Sequence, residues 1–306
     1  MKNRYTPIDS FENLKERIDR FFKPPLKRSK QHSQLSLDFL TDSNKKQEGT
    51  RPYVGAADFI NFLSDAVPNG DIYLFGGILR DIALFGRKGF NSDIDIVVEG
   101  DWESCEAYLK FKGAHQNKFG GYRLHIEGWP IDIWNAKKTW AITQGLIEYK
   151  GISSLTNTTV LNWDAILMNW RTKNFVSRNG YLESLKERKL DVVLEKNPNP
   201  IGMAVRVLRH LCMKEPRQIT PKAIEYLARC TTSYSFAELK QTEIRSYRNT
   251  VIEHAYYRWF ELLMSAEQLE FSERLCVATD SLKNEGISLS SKQDEWCFDT
   301  DSIHIH

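Results

Sequence analysis

Residues 72–98 contain the feature that most constrains how this chain can fold. Ile72–Phe75 is a short apolar run that stops at Gly76-Gly77, and apolar residues then recur at helical spacing as far as Phe85. This pattern predicts a buried strand, a tight turn and a helix. Two glycines let a bulky anion approach the backbone, and the N–H groups at the start of the helix would face that anion.

Asp93 and Asp95 follow within an apolar run that predicts a second strand. Because side chains alternate along a strand, both carboxylates share one face, whereas Ile94, Ile96 and Val98 point into the core. Two carboxylates on one face repel each other unless a cation lies between them, and Mg²⁺ with triphosphate oxygens suits that position. A lone Gly-Gly is usually a turn and a lone Asp-x-Asp a solvated strand end, but their joint spacing predicts a site.

The motif reads Gly-Gly-x-x-Arg-Asp at 76–81, Gly-Arg at 86–87 and Asp-x-Asp at 93–95. It resembles the head domain of the tRNA nucleotidyltransferase and bacterial poly(A) polymerase family, which belongs to the DNA polymerase β-like nucleotidyltransferases. The resemblance implies an α+β fold, in which a nucleotidyltransferase head with a small mixed sheet flanked by helices precedes an all-helical C-terminal region. It also implies roles for five residues: Asp93 and Asp95 as ligands of two Mg²⁺ ions, and Gly76, Gly77 and Arg80 along the triphosphate of an NTP. Asp81, near the predicted helix start, is expected to cap and tie that start.

Asp132 is the third candidate ligand. Two further strands are predicted at 119–126 and 130–134, and Asp132 lies between two isoleucines, so its carboxylate points away from the core. The resemblance implies that the strand beside the Asp-x-Asp strand supplies a third acid, which helps to hold the metal that activates the attacking hydroxyl. The alternative is a solvated strand end, and Glu127 is a weaker substitute for Asp132.

Downstream motifs match the family less closely. Asn162 occupies a place where the family carries a motif ending in Asn-Ala, which implies a nucleotide contact, but 156–159 has no arginine where arginines are expected. The next helix resembles the family helix with Arg-x-x-Arg, which implies that Arg206 and Arg209 contact the nucleotide from one helix face. Met203 stands where the family has the acid that reads the base edge. A solvated helix face is the alternative for both arginines.

The 306 residues suffice for about two domains. Five scattered cysteines without a Cys-x-x-Cys motif, and an N-terminus without an apolar signal region, predict a cytoplasmic protein with free thiols. No apolar run approaches membrane-spanning length, so no membrane association is expected. The predicted organisation is an N-terminal helix and flexible basic linker at 1–52, a catalytic head at 53–180, a helical nucleotide- and acceptor-binding region at 181–282, and a loosely ordered acidic tail at 283–306.

Gln34–Phe39 is the notable stretch of the predicted linker. It resembles the Gln-Leu-x-Leu-x-Phe peptide by which bacterial replication and repair proteins dock on the sliding clamp. A disordered basic segment is a setting in which such a peptide can bind a partner. The alternative is a hydrophobic stub that packs on the protein's own core.

Together these features predict a metal-dependent nucleotidyltransferase that binds ATP or another NTP. An acceptor hydroxyl would attack the α-phosphate, and pyrophosphate would leave. The expected acceptor is an RNA 3′ end, as in tRNA processing, given the family and the basic helices beyond residue 204. Two alternatives remain, namely transfer to a protein or small molecule, as in nucleotidylating toxins and antibiotic-modifying relatives, and a non-catalytic adaptor that works through Gln34–Phe39.

Overall fold

The structure, a computed structural model, describes residues 8–23, 55–90, 92–126, 128–287 and 297–298. The predicted clamp peptide at 34–39 and the substitute ligand Glu127 lie outside the described residues, so both stay predictions. The described chain is α+β, with a sheet and its flanking helices followed by a mainly helical region. This architecture confirms the predicted fold class.

The head is built on a seven-stranded sheet. Its strands are β1 (Asp71–Phe75), β2 (Ile94–Glu99), β3 (His115–Gln116), β4 (Tyr122–Ile126), β5 (Trp129–Asn135), β6 (Ile166–Asn169) and β7 (Phe175–Ser177). They lie in the order β3-β4-β5-β2-β1-β6-β7. The central pair β2–β5 is parallel, whereas the other pairs are antiparallel. The sequence pattern does not predict β6, because all four of its residues are buried and a short continuous apolar run lacks a strand period.

Four helices pack around this sheet: α1 (Phe11–Phe22), α2 (Ala56–Ala66), α3 (Gly77–Phe85) and α4 (Trp102–Phe111). α1 agrees with the predicted N-terminal helix, and α3 agrees with the helix predicted after Gly76-Gly77. α1 is fastened to the end of α3, because Arg17 donates to the Ala83 carbonyl at 2.8 Å. Phe21 packs edge-on against Phe90, with 5.0 Å between ring centroids. The N-terminal helix is therefore part of the head.

The two faces of the sheet are covered differently. Alternate residues of the central strands, such as Ile72, Ile96 and Ile133, enter the main core. The opposite face carries a smaller apolar cluster that includes Phe75 and Val97. That cluster is covered by the stretch between β5 and β6, which contains three 3-10 turns (Ala136–Lys138, Ile152–Asn157 and Asn162–Asp164) and a short helix, α5 (Trp140–Thr143). The acids of the predicted site lie on this second face.

The described residues after the sheet form six helices: α6 (Tyr181–Lys186), α7 (Pro200–Met213), α8 (Pro221–Ser233), α9 (Phe236–Tyr247), α10 (His254–Ser265) and α11 (Phe271–Asn284). A small parallel sheet, which the sequence does not predict, joins β8 (Lys189–Leu190), β9 (Gln218–Ile219) and β10 (Cys297–Phe298). Within the described residues, no helix combines the length and apolar character needed to cross a bilayer. Four cysteines in that part of the chain, at 105, 212, 230 and 276, are free thiols, as expected.

Candidate active site

The structure brings the three predicted acids together. β2 and β5 run parallel in direct register, so Asp95 lies opposite Asp132. Their strand neighbours Ile94 and Ile131 are fully buried on the other face, as the alternating pattern predicts. Asp93 comes immediately before β2 and, two residues from Asp95, shares its side of the sheet. We call Asp93, Asp95, Asp132 and the neighbouring Arg123 the acid edge.

Two of the acid-edge carboxylates have raised pKa values. Burial and then the charge of Asp132 raise the pKa of Asp95 to about 7. Burial also raises the pKa of Asp132, with partial opposition from Arg123. The charge of Asp132 thus disfavours the ionised form of Asp95, and the charge of Asp93 disfavours that of Asp132, which is the condition that a bound cation relieves.

Arg123 contacts two of these acids. It lies on β4 directly opposite Asp132, and its Nε is 3.3 Å from Asp132 Oδ1. Its Nη2 donates to Asp93 Oδ2. Arg123 was not predicted from sequence, although the two predicted strands at 119–126 and 130–134 held a signal. Counting outward from the turn between them places residue 123 opposite residue 132.

The donor chemistry of the acid edge fits a hard divalent cation, since three carboxylates offer oxygen ligands of the kind that Mg²⁺ prefers. Asp95 and Asp132 also lie opposite each other on paired strands, so their like charges are side by side. Across the described ranges, however, no group of three or more acidic, histidine or cysteine side chains is already arranged to hold a metal ion. Arg123 currently engages the oxygens of two of the three candidate ligands.

The Gly76-Gly77 turn lies beside the acid edge. Gly76 has a φ of +61°, a left-handed conformation that glycine adopts without strain, and α3 begins at the next residue. A Cβ on Gly77 would lie 3.0 Å from the Ser92 Oγ, so the turn packs closely against the residue that precedes Asp93. No side chain caps α3, and the N–H groups of its first turn are placed to meet an anion.

Arg80 is buried below this turn. Its side chain is paired with the carboxylates of Asp81, at 2.8 Å, and Asp164. Burial opposes the charge, but Asp164 and Asp81 outweigh that effect and raise the pKa of Arg80. The predicted contact between Arg80 and the triphosphate stays a prediction, and it requires a guanidinium that is already engaged by two acids.

Asp81 does not cap the start of α3, which corrects the expectation from sequence. It lies in the middle of that helix, is fully buried and accepts from Lys214 Nζ at 2.9 Å. Burial would raise the pKa of Asp81, but Arg80 and Lys214 lower it to about 2. Asp81 therefore ties α3 to the residue that follows α7. We call Arg80, Asp81, Asp164 and Lys214 the buried charge layer.

Asp164 is the member of this layer whose importance the sequence did not reveal. It is 8% exposed and pairs with Arg80. Its charge contributes to the raised pKa of Asp95, so the layer and the acid edge lie within electrostatic reach of each other. The only sequence signal was its place two residues after Asn162.

Asn162 has backbone partners at both ends of its amide. Its Nδ2 donates to the Lys189 carbonyl at 2.9 Å, and its Oδ1 accepts from the Asp191 N–H at 3.0 Å. The side chain thus joins the end of the head to the segment that leads into the helical region. A nucleotide contact by Asn162 stays a prediction.

The two arginines of α7 have different environments. Arg206 is exposed and lies within electrostatic reach of Asp95 and Asp164. Arg209 is 7% exposed, and its Nη1 donates to Glu243 Oε1 at 2.6 Å. Both arginines border Tyr247 of α9, whose ring lies 4.0 Å from the Arg209 Cζ. Of the two, Arg206 is the one that faces the acid edge, and the nucleotide contacts predicted for both stay predictions.

Comparisons with solved structures find chains to which this one is similar. A CCA-adding enzyme with ATP aligns over 67% of this chain and 51% of its own, at 19% identity and a TM-score of 0.49. The Thermotoga maritima CCA-adding enzyme complexed with tRNA aligns over 77% and 60%, at 18% identity and a TM-score of 0.43. A tRNA nucleotidyltransferase complexed with a primer tRNA and an incoming ATP analogue aligns over 72% and 75%, at 18% identity and a TM-score of 0.44.

These are the kinds of enzyme that the motifs at 76–95 resemble. The chain spans about half the length of the CCA-adding enzyme solved with ATP. The sequence matches no protein-family model and no curated protein.

Proposed function

We propose that this protein is a metal-dependent nucleotidyltransferase that transfers NMP from an NTP to an acceptor hydroxyl at an RNA 3′ end. The observation that carries the proposal is the register of β2 and β5, which sets Asp95 beside Asp132 with Asp93 at the strand start. The Gly76-Gly77 turn packs beside Asp93 and offers backbone N–H groups to an anion. A bound metal–NTP needs acidic ligands for the metal and an anion-binding turn for the phosphates, and both lie at this place.

In this proposal the three acids of the acid edge hold two Mg²⁺ ions. The ions, when bound, supply positive charge to the triphosphate and to the attacking oxygen. The acceptor oxygen forms a bond to the α-phosphorus, the bond from that phosphorus to the bridging oxygen breaks, and pyrophosphate leaves with the electron pair. The Asp132 carboxylate takes up the hydroxyl proton. Gly76 and Gly77 orient the phosphates, and Arg206 supplies charge from the α7 side.

The helical region supports a polyanionic acceptor. Arg245 and Arg248, at the end of α9, are exposed on either side of Tyr247, which borders Arg206. Arg217, before β9, is exposed as well. Exposed guanidinium groups are suited to the phosphates of an RNA strand.

The experiment incubates the protein with each α-³²P-labelled NTP, Mg²⁺ and total cellular RNA, and resolves the products on a gel and a thin-layer plate. The double variant Asp93→Asn/Asp95→Asn is the test, and Asp65→Asn, an exposed acid on α2, is the matched control. We expect labelled RNA with the wild type and the control but not with the double variant. The label also identifies the nucleotide.

Other outcomes change the proposal in defined ways. Label in protein or in a small product, dependent on Asp93 and Asp95, replaces RNA by that class of acceptor and keeps the enzyme class. Label in RNA that persists in the double variant contradicts the assigned site. Absence of label with any of the four NTPs and all three acceptor classes contradicts the enzyme class and favours the adaptor alternative.

A further inference from the structure

Arg123 occupies the position that gives the acid edge its charge balance. Its guanidinium spans Asp93 and Asp132, which belong to different elements, and the side chain remains 47% exposed. Asp95 is the acid of the edge that has no contact with Arg123 among the described ion pairs. One fixed cation therefore serves two of the three carboxylates.

A guanidinium and a divalent cation compete for the same oxygens. The guanidinium is permanently charged, and it uses Asp93 Oδ2 and Asp132 Oδ1 as acceptors. Mg²⁺ needs oxygen ligands at about 2.0–2.1 Å in near-octahedral geometry, which leaves no room for an N–H donor on the coordinating lone pairs. A metal that coordinates through the lone pairs of Asp93 Oδ2 and Asp132 Oδ1 used by Arg123 would therefore displace its N–H donors from those atoms.

The phosphate oxygens of an NTP would be a suitable new partner for the released Arg123 side chain. Arg123 and His125 project from the same face of β4, and both are exposed. A planar guanidinium binds phosphate oxygens through paired N–H donors as well as it binds carboxylate. Phosphate oxygens arrive with the metal when the metal enters as a complex with NTP.

We propose that Arg123 is an exchangeable counter-ion of the acid edge, paired with Asp93 and Asp132 in the free protein and transferred to NTP phosphate oxygens when the metal binds. The transfer of Arg123 to NTP phosphate rests on the proposed function, whereas its role as a counter-ion of Asp93 and Asp132 concerns metal binding alone. Arg123 contacts the substrate in this account and is a catalytic residue.

The test measures Mn²⁺ binding directly, from the electron paramagnetic resonance signal of free Mn²⁺, for the wild-type protein and Arg123→Gln. The control is Arg229→Gln, since Arg229 forms a half-exposed pair with Glu195 at 2.7 Å in the helical region. We expect Arg123→Gln to bind Mn²⁺ roughly five-fold more tightly, the effect of losing one competing ion pair of modest strength. Arg229→Gln should bind Mn²⁺ like the wild type.

The same variants give a second readout in the transfer reaction. We expect Arg123→Gln to raise the KM for the NTP about ten-fold, with Arg123→Lys between it and the wild type, because lysine keeps the charge but lacks the paired donors. Circular dichroism confirms that each variant is folded. A purely structural arginine would not tighten Mn²⁺ binding on removal.

The outcomes separate this inference from the proposed function. Unchanged or weaker Mn²⁺ binding by Arg123→Gln overturns the counter-ion role, even if the wild type transfers NMP. Tighter Mn²⁺ binding in a protein that transfers no NMP supports Arg123 as a counter-ion of the acids. It overturns both the transfer of Arg123 to NTP phosphate and the proposed function. Tighter Mn²⁺ binding with an unchanged KM for the NTP overturns only the transfer of Arg123 to NTP phosphate.

Discussion

The acid edge and the buried charge layer use the same residue types to different ends. In the buried charge layer, Arg80 is 5% exposed and Asp81 is fully buried, and every member has an oppositely charged partner. In the acid edge the side chains of Arg123 and Asp93 are 47% and 42% exposed, and the one arginine pairs with two of the three acids. The first cluster is balanced and closed, whereas the second has excess negative charge and is open to solvent.

This difference indicates which charges are available to a ligand. A buried pair loses much stability when one partner is removed, because the other is left uncompensated in a region of low dielectric. A half-exposed pair contributes little stability, and its members can exchange partners. We therefore expect substitutions in the buried charge layer to act on folding and substitutions in the acid edge to act on activity.

Arg80→Met should have the largest effect on folding. It leaves Asp81 and Asp164 without their shared cation, and we expect a loss of about 3–5 kcal/mol in the free energy of unfolding. Urea denaturation measures this loss. A loss below about 1 kcal/mol, the range of surface pairs, would show that the layer is not a buried network.

Asp132→Asn should have the largest effect on activity without a comparable effect on folding. It keeps the shape of the side chain but removes a ligand charge and the proton acceptor, so we expect NMP transfer to fall about 10²–10³-fold. The free energy of unfolding in EDTA should not fall. Asp65→Asn is the control, and full activity in Asp132→Asn would remove this residue from the site.

Asn162→Ala distinguishes a structural from a nucleotide-binding amide. Loss of its two backbone partners should lower the free energy of unfolding by about 1–3 kcal/mol. If joining these backbone segments is the main role of Asn162, the KM for the NTP should stay near the wild-type value under conditions where the variant is folded. A raised KM with unchanged stability would instead support the nucleotide contact predicted from sequence.

The pH dependence of stability should reveal the raised pKa of Asp95 in the acid edge. The pKa of Asp95 is raised to about 7, so between pH 4 and 7 the folded protein holds a proton that the unfolded chain releases. Stability in EDTA should therefore fall as pH rises through this interval, by about 1–2 kcal/mol for a partly exposed group, and level off above it. Asp95→Asn should lack this component of the unfolding profile, and an identical profile in the variant would contradict it.

Much of the head could be predicted from its sequence because local patterns specify it. Gly76-Gly77 after an apolar run predicts the turn, and alternation around Asp93, Asp95 and Asp132 predicts their common face. Each of these inferences needs only neighbours along the chain.

The partners of the arginines could not be predicted in this way. Arg80 meets Asp164 across 84 positions, and Arg209 meets Glu243 across 34. Nothing in the local pattern around Arg80 or Arg209 shows that each is neutralised by a distant acid. Motif spacing therefore predicted that the three acids share a face, but it could not tell which cations near them are exposed. Packing shows that Arg123 and Arg206 are exposed.

Calorimetric titration with a non-reactive α,β-methylene NTP, for each of the four bases, tests the central claim most directly. The titrations compare Mg²⁺ with EDTA, and the wild type with Asp93→Asn/Asp95→Asn and Asp65→Asn. The account predicts that at least one analogue binds only with Mg²⁺, that the double variant abolishes this binding, and that Asp65→Asn preserves it. Binding that is unchanged in EDTA or in the double variant would contradict the assignment of the acid edge as a metal–nucleotide site.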